Sequence, residues 1–217
     1  MFDLTVLSDY LPELAHGALV TISIFLTSAI ISVVAGVFFA VGILYGPKSL
    51  RLAVRALHWP LMGTPLLLQL FLIYYGLSQI GVRIPAIWTG IIGIGLHFAA
   101  YNADVFKTAI LTIDKGQTEG ARSLGFSKFE TLLYVIVPQA LRDSLNQVAN
   151  NLLAMIKDVS LVSILGITEL VHAAQQGVSA TYKPFEFYFA VGAIYYALNM
   201  VLELTLHQLE RKLELQR

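Results

Sequence analysis

The chain has 217 residues, of which 57% are hydrophobic and 13% are charged, and its formal charge at pH 7 is zero. So much apolar surface is typical of an integral membrane protein rather than a soluble domain, and the absence of net positive charge argues against a nucleic-acid partner. The sequence contains no cysteine, which excludes disulfides, thiolate metal sites and cysteine nucleophiles. We expect one all-α membrane domain over residues 1–217.

Five long apolar runs predict five transmembrane helices, at residues 17–45, 56–80, 84–106, 145–170 and 187–206. Each run is long enough to cross a hydrocarbon core about 30 Å thick as a helix. The residues before the first run lack the basic segment that precedes the apolar core of a signal peptide. We therefore expect no cleavable leader, and we expect the first span to direct its own insertion.

The first run carries small residues at helical spacing, which predicts a face for close helix packing. They are Gly17, Thr21, Ser28, Ser32 and Gly36.

The second run is interrupted by Gly63-Thr64-Pro65. A helix break at membrane depth must be buried or line a cavity, and the N-terminus of the half-helix that follows it favours an anionic group such as a substrate carboxylate. A simple proline kink is the alternative.

Polar side chains recur at helical spacing in the third run and around the fourth, which predicts two polar stripes. The first stripe consists of His97, Tyr101, Asp104 and Thr108. The second consists of Gln139, Asp143, Asn146, Asn150 and Lys157, with Asn151 and Asp158 beside it. Because ionisable groups are costly at membrane depth, these side chains should face protein or water. The stripes either line a polar pathway or only bond neighbouring helices and reach the interface, and the sequence leaves both readings open.

A polar segment at residues 114–138 separates the third and fourth runs and predicts an elbow of two short helices. Asp114 with Gln117, and Ser127 with Glu130, are capping-box patterns that begin helices. Gly125 predicts a left-handed end to the first helix. Pro138 marks where the second helix must end or kink. A water-exposed elbow of this kind is suited to dock a soluble protein.

The basic residues predict which side of the membrane the elbow faces. With the N-terminus outside, eleven Lys and Arg residues fall in the inside segments, two (Arg83 and Lys183) in the outside segments, and Lys157 within a span. This bias predicts a cytoplasmic elbow and C-terminus. The inside set is Lys48, Arg51, Arg55, Lys107, Lys115, Arg122, Lys128, Arg142, Arg211, Lys212 and Arg217.

Several segments resemble the permease subunits of ABC importers, in particular the polar amino-acid branch. Residues 119–125 together with Val137-Pro138 resemble the EAA loop of these permeases. Residues 63–69, GTPLLLQ, resemble the GTPLLVQ segment of that branch, and residues 138–142, PQALR, also fit it. The resemblance extends over nearly the whole chain from about residue 17.

The resemblance implies the type I ABC importer permease fold, with five transmembrane helices and a cytoplasmic two-helix coupling elbow. Such a chain translocates a polar amino acid or related compound by alternating access and is not itself an enzyme. It also implies positions for the functional residues. The residues expected at the ATPase contact are Glu119, Gly120, Ala121, Gly125 and Pro138, with Gly120 standing where alanine is usual. Those expected at the substrate are Thr64, Leu66, His97, Tyr101, Asn151 and Asp158.

The resemblance further implies partners in a bacterial cytoplasmic (inner) membrane: two ABC ATPase subunits, a second permease subunit, an extracytoplasmic solute-binding protein and membrane lipid. ATP and Mg are expected on the ATPase subunits, and neither a metal nor another cofactor is expected on this chain. The chain has no GxxxxGK[ST] phosphate-binding segment.

Three places depart from the pattern of that branch. Met62 stands where arginine is usual, residues 97–101 replace a small polar cluster, and Asn150-Asn151 stand where an Asn-Glu pair is common. We therefore expect this chain to pair with a different permease subunit that supplies most substrate contacts. A homodimer in which His97 and Asn151 contact the ligand is the alternative.

Two other classes of function would use the same polar stripes. A passive channel or secondary carrier accounts for them but gives no reason for a docking elbow. An intramembrane enzyme would need a catalytic constellation, and the five scattered histidines show no metal-binding HExxH spacing.

Overall fold

The computed structural model describes residues 4–214, and all regular secondary structure in that range is helical. A 3₁₀ turn at Leu4–Val6 precedes eleven α-helical segments in the described chain: α1 Leu7–Tyr45, α2 Lys48–Gly63, α3 Leu66–Phe71, α4 Leu77–Gln79, α5 Ala86–Thr112, α6 Lys115–Ser123, α7 Lys128–Glu130, α8 Val137–Asp143, α9 Leu145–Asp158, α10 Leu170–Thr181 and α11 Pro184–Glu214. π-Helical turns at Leu72–Gly76 and Thr131–Ile136, and a 3₁₀ helix at Val159–Leu165, join some of them. The predicted all-α fold is confirmed.

Three helices among the described residues are long and apolar enough to cross a membrane: Leu7–Tyr45, Leu145–Leu165 and Pro184–Lys212. The pair Lys48–Gly63 and Leu66–Gln79 makes a fourth if it counts as one span, although the chain bends by 119° between them. α5 is 27 residues long but is not in this set, because polar residues interrupt its apolar sequence. The number of five spans stays a prediction. The orientation also stays a prediction. Arg217, one of the basic residues on which it rests, lies outside the described residues.

α5 lies at the centre of the molecule, and α1 packs along it. The predicted small-residue face of α1 is buried: Ser28 and Ser32 lie against α5, and Thr21 lies against the start of α10. A Cβ added to Gly36 would lie 2.8 Å from the Cβ of Asn102, closer than real Cβ atoms approach. The predicted packing face is therefore confirmed.

The core is divided into clusters stacked along α1 and α5. In the middle, Ile24, Leu70, Ile94 and Met155 are fully buried. At the elbow end, Phe106 and Ile110 of α5 pack against the π-helical turn of residues 131–136. At the opposite end, Leu14, Leu170 and Phe187 bring α1, α10 and α11 together. α11 otherwise exposes most of its apolar side chains.

Candidate functional site

The chain leaves helical geometry between α2 and α3 at the place that the sequence predicted. Thr64 (φ −126°, ψ 149°) and Pro65 (φ −60°, ψ 139°) are extended. The bend of 119° is far larger than that of a proline kink inside a continuous helix. The predicted break is confirmed, and it leaves carbonyl groups at the end of α2 without helical partners.

The side chain of Gln69 fills the inner corner of this break. Its Nε2 donates to the carbonyl oxygens of Leu61 at 2.9 Å and Thr64 at 3.0 Å. Its Oε1 lies 3.2 Å from Nδ1 of His97 on α5, and since an amide oxygen only accepts, Nδ1 of His97 carries the proton. Gln69 and His97 are 7% and 8% exposed. One buried amide therefore satisfies two carbonyls at the break and ties the break to α5.

The substrate-contact residues that the sequence predicted near this break differ in accessibility. The Thr64 hydroxyl donates back to the carbonyl of Pro60 at 2.7 Å. Leu66 is buried in the central core of this conformation, and its contact with substrate stays a prediction. Tyr101 is 37% exposed and packs on the ring of His97 with centroids 5.1 Å apart. The Tyr101 side chain is thus more accessible than those of Leu66 and His97.

Asn102 joins three helices through side-chain hydrogen bonds. Its Nδ2 donates to Oγ of Ser32 on α1 at 3.2 Å, and its Oδ1 accepts from Nδ2 of Asn151 on α9 at 2.8 Å. Asn102 is fully buried, and Asn151 is half-buried. Asn151, which the sequence placed at the substrate, therefore uses one amide N–H to hold α9 against α5.

Asp104 lies where α2 meets α5. Its carboxylate pairs with Lys107 one turn further on, and Oδ2 lies 3.5 Å from Nε2 of His58. Nε2 of His58 is also 3.2 Å from the carbonyl oxygen of Ala100, which only accepts, so Nε2 carries the proton. The cluster joins the amphipathic helix α2 to the central helix by polar contacts.

The two predicted polar stripes do not line one continuous path in this conformation. Asp104 and Thr108 face Asp143 and Gln147 across a cavity of about 460 Å³. Asn146 and Asn150 instead line a second cavity, of about 510 Å³, between α9 and α11; its other polar lining residues are Glu203, His207 and Glu210. The backbone stays close to helical at Ser144 between α8 and α9 (φ −93°, ψ −5°), so Asp143 and Asn146 lie on adjoining sides of a nearly continuous helix and line different cavities. The helix face predicted from Gln139 to Lys157 thus borders two different cavities in this conformation.

Lys157 and Asp158 lie at the end of α9, before the 3₁₀ helix of residues 159–165. Lys157 is exposed and Asp158 is half-buried. Neither residue lines the two cavities described above.

Glu169 is a fully buried carboxylate that the sequence analysis did not single out. It caps the N-terminus of α10: its Oε1 accepts from the backbone N–H of His172 at 2.8 Å, and its Oε2 from that of Val171 at 3.0 Å. The hydroxyl of Tyr195 on α11 also donates to Oε2, at 3.2 Å. Thr21 on α1 accepts from the backbone N–H of Leu170 at 3.2 Å. Glu169 thus joins α10 to α11, and the hydrogen bond from Leu170 to Thr21 joins α10 to α1.

The elbow begins with a simpler cap than the sequence predicted. Oδ1 of Asp114 accepts from the backbone N–H of Gly116 at 2.7 Å, but Gln117 does not complete a capping box. The Gln117 side chain instead accepts a bond from Gln139 at 3.3 Å. The competing contact with Gln139, across the elbow, explains why the predicted Asp114–Gln117 box is wrong.

Gly125 ends the first elbow helix in a left-handed conformation, with φ +93°, as predicted. The backbone N–H groups of Phe126 and Gly125 bond to the carbonyls of Ala121 and Arg122, the pattern of a Schellman motif. Ser127 and Glu130 then form the predicted capping box, with both reciprocal bonds present.

Pro138 does not end the second elbow helix. The chain remains helical to Asp143, and the π-helical turn Thr131–Ile136 comes directly before it. π-Turns insert a residue into the hydrogen-bond ladder, and this one ends close to the position where proline lacks an N–H. The prediction that the helix ends at Pro138 is wrong, and the helical geometry changes upstream of it instead.

The elbow presents some of its predicted contact residues and buries another. Glu119 and Gly120 lie on exposed positions of α6, and Gly125 and Pro138 are exposed as well. Ala121 is 7% exposed, so it packs inside the elbow. The outward face of the elbow is therefore carried by Glu119 and Gly120, with Ala121 as their support.

Sequence reasoning missed His58, Gln69, Asn102 and Glu169. Gln69 and Glu169 are polar residues within largely apolar sequence, which indicates a costly and therefore functional or structural group. His58 and Asn102 carried no such signal. Their partners lie on helices distant in sequence, and no local pattern contains those contacts.

The sequence matches the family described as "Binding-protein-dependent transport system inner membrane component" over residues 12–215. It is 30% identical over 205 residues to the arginine transport system permease protein ArtQ of Bacillus subtilis, covering 94% of each chain. It is 43% identical over 143 residues to a probable amino-acid ABC transporter permease protein, PatM, of Vibrio harveyi, an alignment that spans 64% of each chain. A crystal structure of an amino acid ABC transporter with histidines contains a similar chain, with a TM-score of 0.88 and 33% identity over 98% of this chain and 99% of that one.

Proposed function

This chain belongs to the family of binding-protein-dependent transport system inner membrane components, and we propose that the cargo of its transporter is a polar amino acid or a related compound. It is the permease subunit of an ABC importer rather than an enzyme, and ATP hydrolysis in such systems belongs to separate subunits. The relatives named for arginine and amino-acid transport support the choice of cargo.

The outward face of the elbow carries the coupling part of the proposal. Glu119 and Gly120 are exposed on a short helix that the cap at Asp114 begins and the Schellman motif at Gly125 ends. A helix fixed at both ends moves as a rigid body, so closure of the ATPase subunits is transmitted to the spans as alternating access. Two ATPase subunits that bind ATP and Mg would contact this face on the cytoplasmic side.

The hydrogen bonds around the break support a heterodimer. His97 is bonded to Gln69, and Asn151 to Asn102, so both side chains hold this chain's own helices together. Tyr101 and Thr64 remain as the more accessible groups near the break. We therefore propose that a different permease subunit supplies most substrate contacts, and that an extracytoplasmic solute-binding protein delivers the cargo.

The coupling proposal is tested with Glu119→Gln in the assembled transporter. We expect ATP hydrolysis stimulated by the loaded binding protein to fall several-fold, while the binding protein keeps its affinity for cargo. Glu210→Gln, which removes the same charge near the end of α11, is the matched control and should hydrolyse ATP as the wild type does. Unchanged coupling in Glu119→Gln would count against the elbow as the ATPase contact.

The composition of the complex is tested by mass spectrometry of the intact transporter purified from its native membrane. Two ATPase subunits with this chain and a distinct permease support the heterodimer. Two copies of this chain with two ATPase subunits would disprove it and return His97 and Asn151 to the substrate site.

A further inference from the structure

A cavity of about 670 Å³ lies between the end of α1 and the elbow. Arg122 of α6 and Lys128 of α7 form part of its wall, and Leu44 and Tyr45 of α1 form another part. Arg122 donates one bond from Nη1 to the carbonyl of Phe126 at 3.0 Å, which leaves other N–H groups of its guanidinium for a ligand. None of the described lining residues is acidic. The cavity thus presents two cations beside an apolar surface.

An apolar groove of about 260 Å³ continues from this cavity along α1. Phe129 and Leu132 line both spaces, so the two adjoin. Beyond them the groove passes Val41, Phe38 and Val34 on successive turns of α1. From residue 45 to residue 34 the helix extends about 16 Å, roughly half of the hydrocarbon core. The cavity and the groove together therefore extend over about the length of one leaflet.

We propose that the cavity and the groove together bind one anionic phospholipid of the cytoplasmic leaflet. The phosphate lies between Arg122 and Lys128, and an acyl chain lies along Val41, Phe38 and Val34. This assignment goes beyond transport itself, and it uses the cytoplasmic placement of the elbow from the proposed function.

Charge and depth together favour a lipid as the occupant. Two basic side chains at the level of the headgroups attract anionic lipid. A zwitterionic headgroup would bring its own ammonium cation towards these two side chains. Phe38 and Val34 are 56% and 66% exposed at a depth where the surroundings are hydrocarbon. Tyr45 lines the cavity at the end of α1 and is 56% exposed, as is typical of aromatic side chains at a membrane interface. A soluble ATPase subunit could cover the cavity but not the groove.

The test is native mass spectrometry of the complete transporter, titrated in detergent with dioleoyl phosphatidylglycerol or dioleoyl phosphatidylcholine. We expect the wild type to bind phosphatidylglycerol in preference to phosphatidylcholine. We expect R122Q/K128Q to bind phosphatidylglycerol about 30-fold more weakly, because each basic residue near an anionic surface contributes about fivefold. R211Q/K212Q removes the same charge near the end of α11 and should bind as the wild type does.

Two further variants separate charge from folding. R122K/K128R keeps both charges and should keep the lipid, and L133W narrows the groove without changing charge and should lower binding of the acyl chain. Equal binding of phosphatidylglycerol by R122Q/K128Q and the wild type would overturn the assignment, as would equal binding of the two lipids by the wild type. Lipid that binds the permease alone but leaves when the ATPase subunits assemble would show that the cavity is an ATPase contact. The readout is lipid mass, so it stands apart from any failure of transport.

Discussion

Gln69 on α3 and His97 on α5 share a buried hydrogen bond of 3.2 Å, and the same Gln69 side chain holds two carbonyl groups that the end of α2 leaves open. Non-helical backbone at membrane depth is tolerated only where its polar groups find partners. The break between α2 and α3 is therefore a fixed corner, anchored to the central helix by one amide.

Replacing Gln69 with alanine should destabilise this corner. The carbonyl groups of Leu61 and Thr64 and Nδ1 of His97 would lose their partner, and unsatisfied buried polar groups cost about 1–3 kcal/mol. We expect the free energy of unfolding of the purified protein in detergent to fall by that amount. Gln79→Ala, at the exposed end of α4, should change it by no more than about 0.5 kcal/mol.

A double-mutant cycle shows whether the two side chains act together. If they do, Gln69→Ala combined with His97→Ala should cost less than the sum of the single changes, because residues in one network are not additive. Strict additivity, or an equal loss in Gln79→Ala, would show that the hydrogen bond does not carry the stability.

Two glycines of the elbow should respond in opposite ways to the same substitution. Gly120 lies within α6, and an added Cβ would meet nothing within 4 Å, so Gly120→Ala should stabilise the elbow by about 1 kcal/mol. Gly125 has φ +93°, and alanine in a left-handed conformation costs about 1–2 kcal/mol. Amide hydrogen exchange at residues 115–130 measures both changes.

The functional readout of the same pair is ATP hydrolysis by the assembled transporter. Gly120→Ala should keep the stimulation by the loaded binding protein, and Gly125→Ala should lower it, because only the second change shifts the elbow. Equal effects of the two variants on exchange and on hydrolysis would disprove the role given to the left-handed turn.

The capping box at Ser127 and Glu130 should make the elbow sensitive to acid. Hydrogen bonds from the Ser127 side chain and from its backbone N–H hold the pKa of the Glu130 carboxyl below its usual value. A lowered folded pKa means that the contribution to stability is complete above the unfolded pKa of about 4.3 and is lost as the pH falls through the folded value. The hydrogen-exchange protection of the elbow amides should differ between the wild type and Glu130→Gln at pH 7, and it should become equal in the two proteins in acid. A constant difference at every pH would contradict the assignment.

The caps and breaks of this fold were predictable because their signals are local. Gly125 and Ser127 each act within a few residues, and Thr64-Pro65 breaks a helix by backbone chemistry alone. The capping box at Asp114 failed because Gln117 has a partner 22 residues away in Gln139, and no local pattern contains that contact.

The polar stripes were predicted as helix faces, but the hydrogen-bond partners of their side chains were not predicted. His97 and Asn151 were expected to contact a substrate, and the structure pairs them with Gln69 and Asn102 on other helices. Helical spacing fixes which side chains share a face. It does not fix which neighbouring helix packs against that face, and Asp143 and Asn146 line different cavities although they lie one turn apart.

Glu169 should be a major determinant of stability at the end of the molecule opposite the elbow. Glu169→Ala removes the cap of α10 and leaves the Tyr195 hydroxyl without its acceptor, so we expect a loss of about 2–4 kcal/mol in the free energy of unfolding. Glu169→Gln keeps an oxygen that can accept from one backbone N–H and should cost less. Tyr195→Phe removes one hydrogen bond between helices and should cost about 0.6–1.7 kcal/mol.

The order of these three losses is the informative result. Glu203→Ala, at an exposed position of α11, is the control and should stay within about 0.5 kcal/mol of the wild type. If Glu169→Ala costs no more than Tyr195→Phe, the two backbone N–H groups of α10 have found other acceptors, and the carboxylate is not the fastening of α10. The predicted order instead requires that one buried side chain caps α10 and joins it to α11 at once.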